Sequence, residues 1–234
     1  MRTHHHADFR IERAPASAVL PAKDCAATVG RAVAAASPAV EEVVVVAADE
    51  PTAQAAEESG ARVLRESELG DVRGKGDAMR RALPELRHDL VVFLDADLPD
   101  PPPHYAPALL GPLLAGEADF VKAFYRRPLG DDPVGGGRVN HLMARPALRV
   151  FFPELAVVRQ PLAGEVAARR DLLQRLDFEP GYGVEIGMLI DVWRAVGIER
   201  MAQVDLGDMV HVHQPLHALT DMAETVLRTI VAHR

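Results

Sequence analysis

Up to residue 95 the chain alternates short apolar runs of strand length with segments rich in helix formers. No other feature restricts its fold as much. The runs are Ala18-Val19-Leu20-Pro21, Glu42-Val43-Val44-Val45-Val46-Ala47, Ala61-Arg62-Val63-Leu64 and Asp89-Leu90-Val91-Val92-Phe93-Leu94. Between them, residues 28–36 read as a helix stopped by Ser37-Pro38, 52–59 as one ended by Gly60, and 75–86 as a third. Strand, helix and strand over about 30 residues is the length of a βαβ unit. Its repetition predicts an α/β fold with a mainly parallel sheet and helices on both faces.

Composition narrows the function classes. With 48% hydrophobic residues the chain can bury a core, which excludes wholesale disorder. A net charge of −8 argues against a nucleic-acid binder with a broad basic face. The single cysteine, Cys25, excludes an internal disulfide framework and a multi-cysteine zinc site. No apolar run approaches the roughly 20 residues of a membrane span. The expectation is a cytoplasmic globular protein without membrane or nucleic-acid partners. In the less regular second half, residues 104–115, 138–150, 165–176, 185–196 and 219–233 read as helices and 119–125 as a strand. Pro107 and Pro112 are expected to shorten or kink the first of these. His4-His5-His6 reads as a cloning remnant or as part of a disordered N-terminus.

The chemistry concentrates in a few segments. Val91-Val92-Phe93-Leu94-Asp95-Ala96-Asp97 ends a buried strand in two carboxylates. In open α/β sheets ligands bind outside strand carboxyl ends, and alternate residues of an extended chain face one side. Two close carboxylates call for a cation, and Mg²⁺ or Mn²⁺, which also takes phosphate oxygens, meets that need. Taken alone, the pair reads equally as a solvated turn. Lys75, in Arg73-Gly74-Lys75-Gly76, opens a helix and is placed to receive a phosphate, or is a surface turn. Gly135-Gly136-Gly137-Arg138 permits close approach to a ligand, with Arg138 gripping a carboxylate or phosphate, or is a plain loop. Glu185 begins another helix, either as a partner of its dipole or as an acceptor for ligand hydroxyls. His211 and His213 alternate along an extended segment, and His211 suits a third metal ligand beside the Asp pair.

Taken in order, these segments resemble the glucosyl-3-phosphoglycerate synthases, retaining glycosyltransferases of the GT-A fold. The series also includes Val121-Lys122-Ala123-Phe124-Tyr125-Arg126-Arg127-Pro128-Leu129, Gln160-Pro161-Leu162-Ala163-Gly164-Glu165 and Pro180-Gly181-Tyr182-Gly183-Val184-Glu185. It spans residues 17–220 as one glycosyltransferase domain, with a nucleotide-binding half at 17–100 and an acceptor half at 101–220. Residues 1–16 form an N-terminal extension and 221–234 a C-terminal helix. The resemblance implies that Pro21, Ala22, Lys75, Asp95, Ala96 and Asp97 bind the nucleotide, and that Asp97 and His211 hold the metal. Gly137, Leu162 and Glu185 would contact the donor sugar, and Arg138, Asn140 and His213 the acceptor. Asp97, Glu185 and Lys75 would carry the catalysis, and a homodimer is implied.

The departures from the family pattern are specific. Lys23-Asp24-Cys25 stands where the family has Leu-Asn-Glu, and Ala47-Ala48-Asp49-Glu50 where it has Asp-Ser-Gly-Ser, both at the base-binding side. On the acceptor side, Asn140 replaces a Thr and His213 an Asn. The expected activity is transfer from a nucleotide-sugar, UDP- or GDP-linked, to a small carboxylate-bearing acceptor, closest to UDP-glucose and 3-phosphoglycerate. The alternatives are an antibiotic-pathway relative in secondary metabolism, of the kind that joins GDP-octose to ergothioneine in lincosamide biosynthesis, and a non-catalytic sugar-nucleotide-binding protein. A nucleotidyltransferase is disfavoured because no glycine-rich basic loop directly follows the first strand.

Overall fold

The computed structural model describes residues 1–210 and 214–234. The strands are β1 (Arg2–His5), β2 (Ala14–Ala22), β3 (Val40–Ala47), β4 (Arg62–Arg65), β5 (Leu90–Phe93), β6 (Phe120–Arg126), β7 (Val166–Arg169) and β8 (Met201–Asp208). They form one sheet in the order β1-β8-β6-β7-β5-β2-β3-β4. Every pairing is parallel except those of β7, which runs antiparallel to both β5 and β6. The helices are α1 (Val29–Ala36), α2 (Glu50–Glu58), α3 (Lys75–Ala82), α4 (Tyr105–Leu114), α5 (Arg145–Phe151), α6 (Arg170–Leu173), α7 (Val184–Val196) and α8 (Thr220–Ala232).

Both faces of the sheet are covered, as the alternation predicts. Ala16, Ala18, Leu20, Val45 and Val92 pack on one face with residues of α1, α2 and α4. Val19, Val44, Val46, Val91 and Phe93 pack on the other with residues of α3, α5, α7 and α8. Alternate residues of β2, β3 and β5 thus serve opposite cores, which is why these strands read as continuous apolar runs. Burying each large apolar side chain contributes roughly 1.5–3 kcal/mol.

Three expectations change. The helix expected over 165–176 is the strand β7 followed by the single-turn helix α6. Val166-Ala167-Ala168 has helix-forming composition, but it is slotted between two strands and buried on both faces, so tertiary pairing overrides propensity. The N-terminus is ordered: Arg2–His5 adds a parallel edge strand to β8, and Arg2 and His4 meet Glu117 at 3.0 and 3.3 Å. Backbone pairing at a sheet edge needs no apolar pattern, so the sequence carries no sign of it. Finally, the helix expected over 138–150 begins as a wide π turn, Asn140–Ala144, that leads into α5. Such turns re-aim side chains and recur beside functional sites.

Candidate active site

From β2 the chain winds outward to β3 and β4, then returns to β5 on the other side of β2. A crevice opens at the strand carboxyl ends where winding reverses in this way. Leu94 N bonds Val19 O at 3.1 Å, so Asp95-Ala96-Asp97 emerges beside the end of β2. Opposite lies the first turn of α3. A Cβ on Gly76 would meet Glu179 O at 2.0 Å, so only glycine lets α3 press against the segment leading into α7. That close approach brings three distant segments together. Lys75 Nζ donates to Asp95 Oδ1 at 2.7 Å and to Glu185 Oε1 at 3.0 Å. Burial alone would push the lysine down, but the Asp95 and Glu185 charges outweigh it and hold the ammonium well above its ordinary range.

A cleft of about 290 Å³ runs from this cluster toward the glycine loop. Asp95, Asp97, Glu185, Gly137, Leu162, Arg138 and Asn140, all expected site residues, line it together. Arg138 Nη2 donates to the carbonyl of Gln214, which also faces the cleft. Leu219, Met222 and Val226, from α8 and the turn before it, supply an apolar wall. Pro21, Ala22 and Ala96 lie outside this lining, Ala22 and Ala96 being buried at the strand ends. His211 and His213 fall outside the described residues.

The donor set fits one kind of metal. Asp95 is matched by Lys75, and the room its carboxylate takes exists because Gly164 has no side chain; a Cβ there would lie 2.6 Å from Asp95 Oδ1. Asp97 is exposed and faces the cleft. Among the described residues no three His, Cys, Asp or Glu side chains form a cage. One carboxylate with further oxygens from substrate phosphates and water is how Mg²⁺ and Mn²⁺ are commonly held.

Behind the cleft lies a layer that sequence reasoning did not assign. Tyr125 Oη donates to Glu165 Oε2 at 3.1 Å, and Tyr125 N donates to Gln160 Oε1 at 2.9 Å. Lys122 Nζ donates to Ala163 O at 2.8 Å, and burial pushes this lysine down to about 8. The available signal was a lysine inside an apolar strand. Glu165 is fully buried, and burial, followed by the Asp95 charge, pushes it up to about 7. The folded chain therefore holds a proton that the unfolded chain releases above about 4.5. Stability from the neutral carboxyl is present below that pH and is lost as pH rises through 7. Glu165→Gln, a neutral isostere, should gain melting temperature relative to the parent between pH 5 and 8. A difference that stays constant across that range in thermal melts would contradict the assignment.

Residues 18–178 match the MobA-like NTP transferase domain family. Over 92% of its length the chain is 45% identical to the glucosyl-3-phosphoglycerate synthase of Mycobacterium tuberculosis, covering 72% of that protein. The chain belongs to the glucosyl-3-phosphoglycerate synthase family. It is a glycosyltransferase, and its sheet with two helix layers is the expected GT-A arrangement. A crystal structure of the M. tuberculosis glucosyl-3-phosphoglycerate synthase with Mn²⁺, UDP-glucose and phosphoglyceric acid superposes with a TM-score of 0.85 at 43% identity, over 93% of this chain and 79% of that one. The mannosyl-3-phosphoglycerate synthase of Rubrobacter xylanophilus gives 0.90 at 42%, over 99% and 80%. These two family structures differ in the sugar they are named for and agree in the acceptor. Among the described residues no helix is long and apolar enough to cross a membrane.

Proposed function

We propose that this chain transfers a glucosyl unit from UDP-glucose to 3-phosphoglycerate with retention at the anomeric carbon. The observation that carries this is the Lys75–Asp95–Glu185 cluster beside Asp97, at the mouth of a cleft that ends in Arg138. Asp97, with His211, would hold Mg²⁺ or Mn²⁺, which when bound supplies charge to the departing diphosphate. Lys75 adds a second positive charge at the same place, kept protonated and aimed by Asp95 and Glu185. The bond from the anomeric carbon to phosphate oxygen breaks, and one to the acceptor hydroxyl forms on the same face. The acceptor's proton passes to the departing phosphate. Glu185 is tied to Lys75 and so is a poor nucleophile; its role is to accept hydrogen bonds from sugar hydroxyls. Gly137 and Leu162 border the sugar, while Arg138 and Asn140 face the acceptor; His213, outside the described residues, is assigned to the acceptor by the resemblance alone. Pro21, Ala22 and Ala96 complete the nucleotide side.

On this reading residues 17–100 form the nucleotide half and 101–220 the acceptor half of one sheet. A cytoplasmic homodimer completes the proposal, motivated by exposed Leu142, Leu216 and Val231 near the C-terminal helix. Light scattering at the mass of one chain, 25.4 kDa, would remove the dimer. The donor base is the sharpest open choice. Asp49, which stands near the family's base-binding carboxylate, is spent elsewhere: it accepts from Thr52 N at 3.0 Å as the cap of α2 and from Asp24 N at 2.7 Å. That observation keeps a GDP-linked donor as the second reading. Calorimetry with UDP and GDP in the presence of Mn²⁺ separates them. The expected result is at least tenfold tighter UDP binding; a GDP preference of that size would overturn the choice.

A further inference from the structure

Strand β6 carries a lysine where the packing calls for an apolar residue. Val121, Ala123 and Tyr125 pack into one core and Phe120 into the other, so Lys122 points with Phe120 toward the layer of α3 and α7. It is 1% exposed, and among the described residues its ammonium makes one hydrogen bond, to Ala163 O at 2.8 Å. Burial pushes the amine down to about 8, and the Glu185 charge is the main force against that fall. Taking an ammonium with three donors out of water for one neutral acceptor is costly. A methionine would fill a similar volume without that cost, so the bond to Ala163 is what the lysine adds.

Ala163 lies in the segment that enters β7. Lys122 and Val166 are register partners, and Ala123 N donates to Glu165 O at 3.0 Å, so pairing with β6 ends there. Residues 160–164 run past that end and are fastened by one turn bond, Ala163 N to Gln160 O at 3.1 Å, and by side chains. Gln160 Oε1 accepts from Tyr125 N at 2.9 Å, and Tyr125 Oη, on the α4 side of the sheet, donates to Glu165 Oε2 at 3.1 Å. Lys122 reaches the middle of the segment from the opposite side. The residues on either side of its anchor belong to the site. Leu162 faces the cleft, and Gly164 lies so close to Asp95 that a Cβ would sit 2.6 Å from its Oδ1. A shift of the Ala163 carbonyl would therefore move the cleft wall and the backing of Asp95 together.

We propose that Lys122 and Tyr125 are positioning residues for the donor sugar, acting through the Ala163 carbonyl and the Glu165 carboxyl to fix Leu162 and Gly164 at the cleft wall. A sugar held by a displaced wall sits away from its reactive geometry, and a misplacement of that kind costs rate more than binding. The inference rests on the reading of Leu162 as a sugar contact given above.

The test is steady-state kinetics with UDP-glucose and 3-phosphoglycerate, together with calorimetry of UDP and of UDP-glucose, on the full chain with Mn²⁺. Lys122→Met fills the volume without a donor, Lys122→Gln is neutral but keeps an N–H for Ala163 O, and Tyr125→Phe removes only the hydroxyl. Lys122→Met is expected to lose about tenfold or more in kcat while binding UDP within about twofold of the parent, with UDP-glucose losing affinity relative to UDP. Lys122→Gln should recover to within about threefold of the parent, and Tyr125→Phe should show the same signature at a smaller size. Parent-like kcat in Lys122→Met would overturn the proposal. Equal losses of UDP and UDP-glucose would overturn it too, since they mark collapse of the whole site. A Lys122→Gln variant as slow as Lys122→Met would do the same, since it marks the charge rather than the bond. If Lys122→Met fails to fold in thermal melts, Tyr125→Phe decides: a loss confined to UDP-glucose supports the proposal and parent-like behaviour overturns it. A parent that binds UDP-glucose but transfers no glucose removes the activity reading. The affinity for UDP-glucose relative to UDP in Lys122→Met then reads the positioning by itself; a loss supports it and no loss overturns it.

Discussion

Replacing Lys75 with alanine is expected to lower kcat/KM by about 10²–10³-fold, mostly through kcat. The ammonium lies 2.7 Å from Asp95 and 3.0 Å from Glu185, so its loss acts twice. On the proposed function it removes positive charge from where the diphosphate would depart, and it leaves the Asp95 and Glu185 carboxylates without their shared cation. One of them then takes up a proton or turns away, and Glu185, proposed to orient the sugar, loses its anchor. Lys75→Arg should recover only part of the rate, because a planar fork cannot reproduce two contacts made by a compact ammonium. Steady-state kinetics, paired with thermal melts to confirm folding, read this directly. An alanine variant within threefold of the parent would mean that Lys75 only bridges two acids.

Asp97→Asn is expected to cost as much in rate and to show a different signature. The substitution removes the negative charge that a hard divalent ion requires, at an exposed position at the strand end. Turnover should fall by roughly 10³-fold, a loss of transition-state charge stabilisation of several kcal/mol. The Mn²⁺ concentration for half-maximal rate should rise, whereas Lys75→Ala should leave that concentration nearly unchanged. Chelation should silence the parent, and added Mn²⁺ or Mg²⁺ should restore it. If Asp97→Asn titrates with Mn²⁺ as the parent does, the metal is held elsewhere.

How much of this was legible depended on whether the signal is local. The β2-to-β5 half was readable because parallel strands buried on both faces must be apolar throughout, and helices with glycine or proline stops separate them. β7 was not, since an alanine-rich strand packed tightly on both sides has the composition of a helix. β8 escaped because Met201-Ala202-Gln203-Val204 is neither a continuous apolar run nor a clear alternation. In the active site, Lys75, Asp95, Asp97 and Glu185 stood out by motif, and the structure joins Lys75 to Asp95 and Glu185. The Tyr125–Glu165 bond spans 40 residues of sequence, so these two side chains meet only through the fold. Their partnership leaves no local spacing to read.

The central claim is the transfer itself. ¹³C NMR of a reaction containing the full chain, Mn²⁺, 3-phosphoglycerate and UDP-glucose labelled at the anomeric carbon follows it directly. The account predicts a glucosyl-3-phosphoglycerate signal with the anomeric configuration of the donor, growing in step with free UDP and vanishing on chelation. An inverted product, or labelled UDP-glucose that persists unchanged beside the acceptor, would contradict it.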